Sequence, residues 1–209
     1  MKIAIEAQRI FRPNKHGMDF VALETIRELQ KRNDDNQYYI IVAPGEDRCL
    51  ENSANLSIIE VKYPTYPLWE QVGLPKVVKR LGVDLLHCTS NTAPLWCPVP
   101  LVLTLHDIIY LEPRQHSSPS LYQEMGWYYR RLVVPRILKK CKKIITVSHF
   151  ECNHIRQTLK IPTDRITAVY NGYSNHFYPQ QKIDMDIIHK YIPKKDFLFF
   201  LGNTDPKKN

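Results

Sequence analysis

The stretch KKIITVSHFECNHI, Lys142–Ile155, decides the fold. Its first part, Lys143–Val147, is a β-branched run without polar alternation, and it reads as a strand buried on both faces. Ser148 and Glu151 stand three apart, the spacing of a capping box, so a helix opens directly after the strand. The same rhythm repeats on either side. Lys2–Ala7, Tyr38–Ala43, Leu56–Val61, Val83–His87, Leu101–His106 and Ile166–Tyr170 read as further strands. Met18, Ala22, Ile26 and Leu29 recur at helical spacing between the first two. The run SSPS, Ser117–Ser120, supplies an N-cap and a first-turn proline for a long basic helix. Repeated strand–helix–strand units, with no internal sequence repeat, predict an α/β fold: a doubly wound, Rossmann-like parallel sheet.

Composition narrows the function classes. With 44% hydrophobic and 24% charged residues over 209 positions, the chain can bury a core as one large domain or as one domain plus part of another. No apolar run approaches the ~20 residues of a membrane span, and the N-terminal MKIAIEAQRIF lacks the pattern of a secretory signal. The cysteines Cys49, Cys88, Cys97, Cys141 and Cys152 form no CxxC pair and read as buried thiols of a reduced, cytoplasmic protein. The net charge of +8 is densest in YYRRLVVPRILKKCKK, Tyr128–Lys143. That segment reads either as a basic amphipathic helix lying on anionic lipid or as a core helix with a solvated basic face.

In a doubly wound sheet, ligands bind beyond the carboxyl ends of the strands. Three loops stand there. The first, Gln8–Phe20, holds only Gly17, so the GxGxxG dinucleotide fingerprint is absent. It offers Arg9, Arg12, Lys15 and His16 ahead of a glycine that opens a helix, which suits a phosphate or a polar hydroxylated ligand. Gly17 equally permits nothing more than a tight helix entry. The second loop begins at His106-Asp107, where an imidazole can hold a substrate hydroxyl or exchange a proton, or can serve structure alone. No nucleophile motif supports a hydrolytic triad, and His87-Cys88 with Cys97 fits no zinc spacing, so no metal is expected. The third contains the turn Asn171-Gly172, after which the rhythm stops and a domain boundary is expected within 173–195. The terminal FLFFLGNTDPKKN, Phe197–Asn209, then reads as the start of another strand–loop–helix unit.

The order of these pieces resembles family 4 of the retaining glycosyltransferases. A basic first loop with HGM, then TLHDIIYLEP, KKIITVSHFECNHI, RITAVYNGYS and FLFFLGNTDPKKN follow one another as in those two-domain GT-B enzymes. The resemblance implies an amino-terminal, acceptor-side Rossmann-like domain over 1–175, a linker over 176–195, and the first strand and loop of a truncated donor-binding domain over 196–209. It implies that Gly17 lets a helix approach the donor diphosphate, although the family's usual second glycine is His16 here. By the same resemblance His106 lies at the donor sugar, Lys208 with Lys207 neutralises the leaving diphosphate, and Arg12, Lys15 and His16 meet the acceptor. Thr204 stands where an arginine is common. A nucleotide sugar is the implied donor, mannose its implied sugar from the DPKKN loop, and no cofactor or metal is called for. The implied acceptor is a glycan or a lipid-linked sugar in surface polysaccharide synthesis. That acceptor would place the protein in the cytoplasm or at the inner face of a membrane, reached through Tyr128–Lys143. The truncated chain alone is expected to be inactive.

Three other readings compete. A non-catalytic carbohydrate-binding module would leave the terminal apolar strand as an unpaired edge. A nucleotide-sugar epimerase shares the architecture and differs in needing no acceptor. Nucleic-acid binding is disfavoured, because the charge gathers in one segment and no recognition motif is present.

Overall fold

The structure is a computed structural model that describes residues 1–112, 121–173 and 185–192. Strand β1 (Lys2–Glu6) leads through helix α1 (Gly17–Gln30) to β2 (Gln37–Val42), and β3 (Leu56–Glu60) follows. A helical stretch then crosses back: α2 (Tyr66–Leu68), a π-helical turn (Trp69–Gly73) and α3 (Leu74–Leu81). It delivers the chain to β4 (Leu85–Cys88) and β5 (Leu101–Thr104). Next come α4 (Leu121–Leu138), β6 (Lys143–Thr146), α5 (His149–Leu159) and β7 (Ile166–Ala168). Among the described residues these seven strands form one sheet in the order β3-β2-β1-β4-β5-β6-β7, every pair parallel. The seven strands predicted between Lys2 and Tyr170 are all present, with β5 and β7 stopping short of His106 and Tyr170.

Alternation along the strands divides the core in two. Ala4, Ile41, Leu86, Leu103 and Ile144 pack with α3, α4 and α5. Ile5, Ile40, Val42 and Leu56 face the other way, onto Ala22, Leu23 and Ile26 of α1. Both faces are covered by helices, which is why these strands carry continuous rather than alternating apolar residues. Full burial of one such side chain stabilises by roughly 1.5–3 kcal/mol.

The deciding unit folds as its sequence indicates. Ser148 is the N-cap of α5, its hydroxyl accepting from the Glu151 N–H at 3.1 Å. The π turn was not legible, though its cause is. Pro75 has no N–H to return to the Gln71 carbonyl, and Leu74 reaches back five residues to Trp69 instead. The basic segment also differs from a single helix. Helix α4 ends at Leu138, Lys140 turns back to donate to the Leu95 carbonyl at 2.6 Å, Cys141 is buried, and Lys143 opens β6.

The chain divides into two compact units, Met1–Gly172 and Tyr173–Asn209. The second is described by α6 (Met185–Tyr191). The cap expected at Ser117–Ser120, most of the expected linker and the strand from Phe197 lie outside the described residues.

Candidate active site

The strand order reverses between β1 and β4, so the crevice beyond their carboxyl ends is where this topology places a ligand. Four consecutive polar residues, Thr89, Ser90, Asn91 and Thr92, leave β4 there, and all are buried. A buried polar loop must be fully hydrogen-bonded to be tolerated, and this one is held from three sides. On the β1 side, Glu6 is the last strand residue and fully buried. It accepts from the Gln8 N–H at 3.0 Å and the Thr89 N–H at 3.2 Å, while the Thr89 hydroxyl donates to the Glu6 carbonyl at 2.8 Å. Burial pushes its carboxyl up, the Gln8 N–H pulls it down, and the nearby Glu70 charge raises it again.

From the π turn, Glu70 reaches the other end of the loop and is also fully buried. One carboxylate oxygen accepts from the Tyr66 hydroxyl at 2.7 Å and from the Thr92 hydroxyl. The second accepts from Gln71 Nε2 at 2.9 Å and from the Tyr129 hydroxyl of α4. Burial raises its pKa too, against the opposing pull of those four donors.

On the β5 side the loop meets His106. Asn91 adopts φ 66°, a left-handed conformation that Asn tolerates well. Its N–H donates to the Thr104 carbonyl at 3.2 Å, and its side-chain oxygen accepts from the His106 N–H at 2.6 Å. The half-buried ring of His106 places Nε2 3.0 Å from the Thr89 carbonyl. Burial lowers the His106 pKa, so the ring is neutral near pH 7.

His87 sits behind it in β4, with Nε2 2.8 Å from the Thr104 hydroxyl. Burial, with the neighbouring His106, pushes its pKa from 6.5 down to about 4. The unfolded chain therefore takes up this proton before the folded one, and stability is lost as pH falls from about 6.5 towards 4. Between pH 7 and 5 the protein is expected to lose about 2 kcal/mol through His87. The raised carboxyls of Glu6 and Glu70 act in the opposite sense. Urea unfolding of the protein beside a His87→Gln variant isolates the histidine contribution, and the variant should lose correspondingly less.

The first loop brings its cations together differently from the sequence expectation. Arg12 pairs with Asp19 in the first turn of α1, and Arg9 Nε lies 3.5 Å from the same carboxylate. Asp19 also accepts from the His16 N–H at 2.8 Å. Lys15 pairs with Asp47 and donates to the Arg12 carbonyl at 3.2 Å, and its side chain is only 4% exposed. Gly45 closes against this loop, where an added Cβ would meet the Phe11 carbonyl oxygen at 2.2 Å. Arg12 and Lys15 thus tie the loop to α1 and to the segment after β2, while His16 and Gly17 are exposed at the start of α1. A Cβ on Gly17 would meet nothing within 4 Å, so the flank of α1 at Gly17 is open. Lys207 and Lys208 lie outside the described residues. Among the described residues no three His, Cys, Asp or Glu side chains gather as metal ligands.

Comparison with known proteins identifies the architecture. Residues 16–175 match Glycosyltransferase Family 4. The chain belongs to that family.

Family 4 membership agrees with solved folds. Anabaena Alr3699/HepE in complex with UDP superposes with a TM-score of 0.57 at 18% identity, over 91% of this chain and 49% of that one. A glycosyltransferase from Rickettsia africae ESF-5 gives 0.54 at 18% identity, over 93% and 50%. The O-antigen chain mannosyltransferase RfbU of Salmonella typhimurium is 23% identical over 138 residues, 64% of this chain and 33% of the relative. This family 4 chain therefore spans about half the length of the solved structures and a third of that relative. The fold is the Rossmann-like, amino-terminal-domain fold of GT-B glycosyltransferases.

Sequence reasoning singles out His106 and Gly17 but not Glu6, Glu70 or the Thr89–Thr92 loop. The available signals were an acid ending an apolar strand, and Tyr66 and Glu70 spaced four apart on a helix.

Proposed function

We propose that the complete gene product transfers a sugar from a nucleotide sugar to a glycan or lipid-linked hydroxyl, with retention of anomeric configuration. Family 4 membership supports the transferase class. The observation that carries the site is the crevice at the switch point, where a neutral histidine held against a buried polar loop stands beyond β5 and an exposed helix N-terminus follows β1. An exposed terminus suits the donor diphosphate, and His106 suits a hydroxyl of the donor sugar. Lys207 and Lys208 are assigned to charge on the departing diphosphate, where a fixed cation acts most strongly. Arg12 and Lys15 serve by holding the loop, leaving His16 as its exposed acceptor-side group. No metal is assigned.

The donor sugar is assigned as mannose, on the name of the Salmonella relative and the DPKKN loop. The Anabaena structures hold UDP, glucose and UDP-glucose, which makes UDP-glucose the necessary competitor. Surface polysaccharide synthesis is the corresponding process, and the 209 residues alone are assigned no turnover. Incubation of the complete gene product with nucleotide-activated mannose or UDP-glucose, with and without a membrane-lipid extract, tests the reading. Nucleotide release that requires the acceptor, with an anomer matching the donor in the product, is the expected result. Donor conversion without acceptor would make the protein an epimerase.

Gly17→Ala separates binding from folding. The added methyl meets nothing in the protein, and alanine is the better helix former, so the melting temperature should not fall. Donor KM is expected to rise about tenfold, ~1.4 kcal/mol, as the methyl enters the diphosphate approach.

The membrane-facing surface is assigned to α4. No helix among the described residues is long and apolar enough to cross a membrane. Met125, Tyr128 and Leu132 nonetheless form an exposed apolar stripe, with Arg136 and Lys139 exposed beside it. Such a face can rest on an anionic bilayer, at about 1 kcal/mol per cation. Replacing Arg136 and Lys139 together by Gln is expected to weaken sedimentation with anionic vesicles about thirtyfold, ~2 kcal/mol. Neutral vesicles should show no difference.

A further inference from the structure

We infer that Asn91 is a positioning residue which, with the Thr89 carbonyl, holds His106 as its Nε2–H tautomer and presents the Nδ1 lone pair to a hydroxyl of the bound sugar. The inference rests on the transferase reading for the identity of that hydroxyl and on geometry for the rest. A carbonyl oxygen can only accept, so the 3.0 Å contact between His106 Nε2 and the Thr89 carbonyl requires the proton on Nε2. In a neutral ring the other nitrogen is then an acceptor. Among the described residues Nδ1 has no hydrogen-bond partner, and the residue is half-buried.

The orientation depends on the loop and not on β5 itself, which ends at Thr104. Asn91 supplies what the strand no longer does. Its N–H takes the Thr104 carbonyl, and its side-chain oxygen takes the His106 N–H at 2.6 Å, so the backbone on either side of Leu105 is fixed. Its φ of 66° is left-handed, and its side chain and the Thr89 carbonyl both meet the same histidine. The loop is in turn anchored by Glu6 at Thr89 and by Glu70 at Thr92. Two buried carboxylates thus brace one imidazole through four residues, and none of them needs to touch substrate. A ring fixed in this way accepts a hydroxyl hydrogen and offers no proton to the departing group.

Long-range ¹H–¹⁵N NMR of the protein labelled at histidine, from pH 6 to 8, reads the tautomer directly. The His106 signals are assigned by their loss in His106→Gln. The expected spectrum shows an unprotonated Nδ1 and a protonated Nε2. Asn91→Gly keeps the backbone conformation and deletes the acceptor, and should let the ring sample both tautomers. Asn91→Asp restores the acceptor and should restore the single tautomer. If the glycine variant does not fold, the wild-type and aspartate spectra still decide. In the complete gene product, Asn91→Gly should lower kcat about tenfold with donor KM little changed. An Nδ1–H ring in a protein that transfers sugar overturns the inference alone, as does an unchanged tautomer in Asn91→Gly. The Nε2–H ring in a protein that transfers nothing upholds the positioning and overturns the transferase reading.

Discussion

Replacing Glu70 by alanine is expected to destabilise the protein by about 3 kcal/mol, although Glu70 touches no substrate in this account. Its carboxylate is the common acceptor for Tyr66, Thr92, Gln71 and Tyr129. Without it these groups can partly pair among themselves, since Tyr66 lies 2.7 Å from Thr92 and Gln71 2.7 Å from Tyr129. Each pair still leaves one donor without an acceptor beside the buried position of Glu70. An orphaned buried donor costs about 1–3 kcal/mol, and the vacated space adds to it. Glu70→Gln keeps the shape and one acceptor oxygen and removes a buried charge, so it should cost about 1 kcal/mol. Urea unfolding at pH 7 measures both. Equal costs would show that the charge and not the network matters.

Replacing His106 by alanine in the complete gene product is expected to reduce kcat/KM for sugar transfer about a hundredfold, ~3 kcal/mol. That is the loss expected for one hydrogen bond at the reacting sugar. Stability should change little, because the imidazole is half-buried and makes a single bond to a backbone carbonyl. Steady-state kinetics of the variant, beside its urea midpoint, separate the two effects. A fall in activity that follows the fall in stability would make His106 structural.

The fold was legible because its strands are buried on both faces. Runs such as Lys143–Val147 carry β-branched residues on successive positions, and capping at Ser148 marks where strand yields to helix. Helix α1 was legible from Ala22 and Ile26, both buried. The polar half of the site was not. Glu6 and Glu70 are ordinary acids in sequence, and only the pairing of β1 with β4, together with the π turn before Pro75, buries them beside one loop. Thr89–Thr92 looks like any polar connection, and burial alone separates it from a surface turn. The pairing of the loop cations was not legible either. Arg12 and Lys15 suggested free charge for a ligand, but Asp19 lies seven residues on in the first turn of α1 and Asp47 comes from the segment after β2. Ion pairs between such distant positions leave no local pattern. The basic run Tyr128–Lys143 misled for a related reason, since composition does not show that its last lysine opens a strand.

The most direct test is a crystal structure of the complete gene product with an intact nucleotide sugar. The donor's diphosphate should lie at the start of α1 beside Gly17, with a sugar hydroxyl about 3 Å from His106 Nδ1. A donor bound away from the β1–β4 crevice, or a sugar out of reach of His106, would contradict the account.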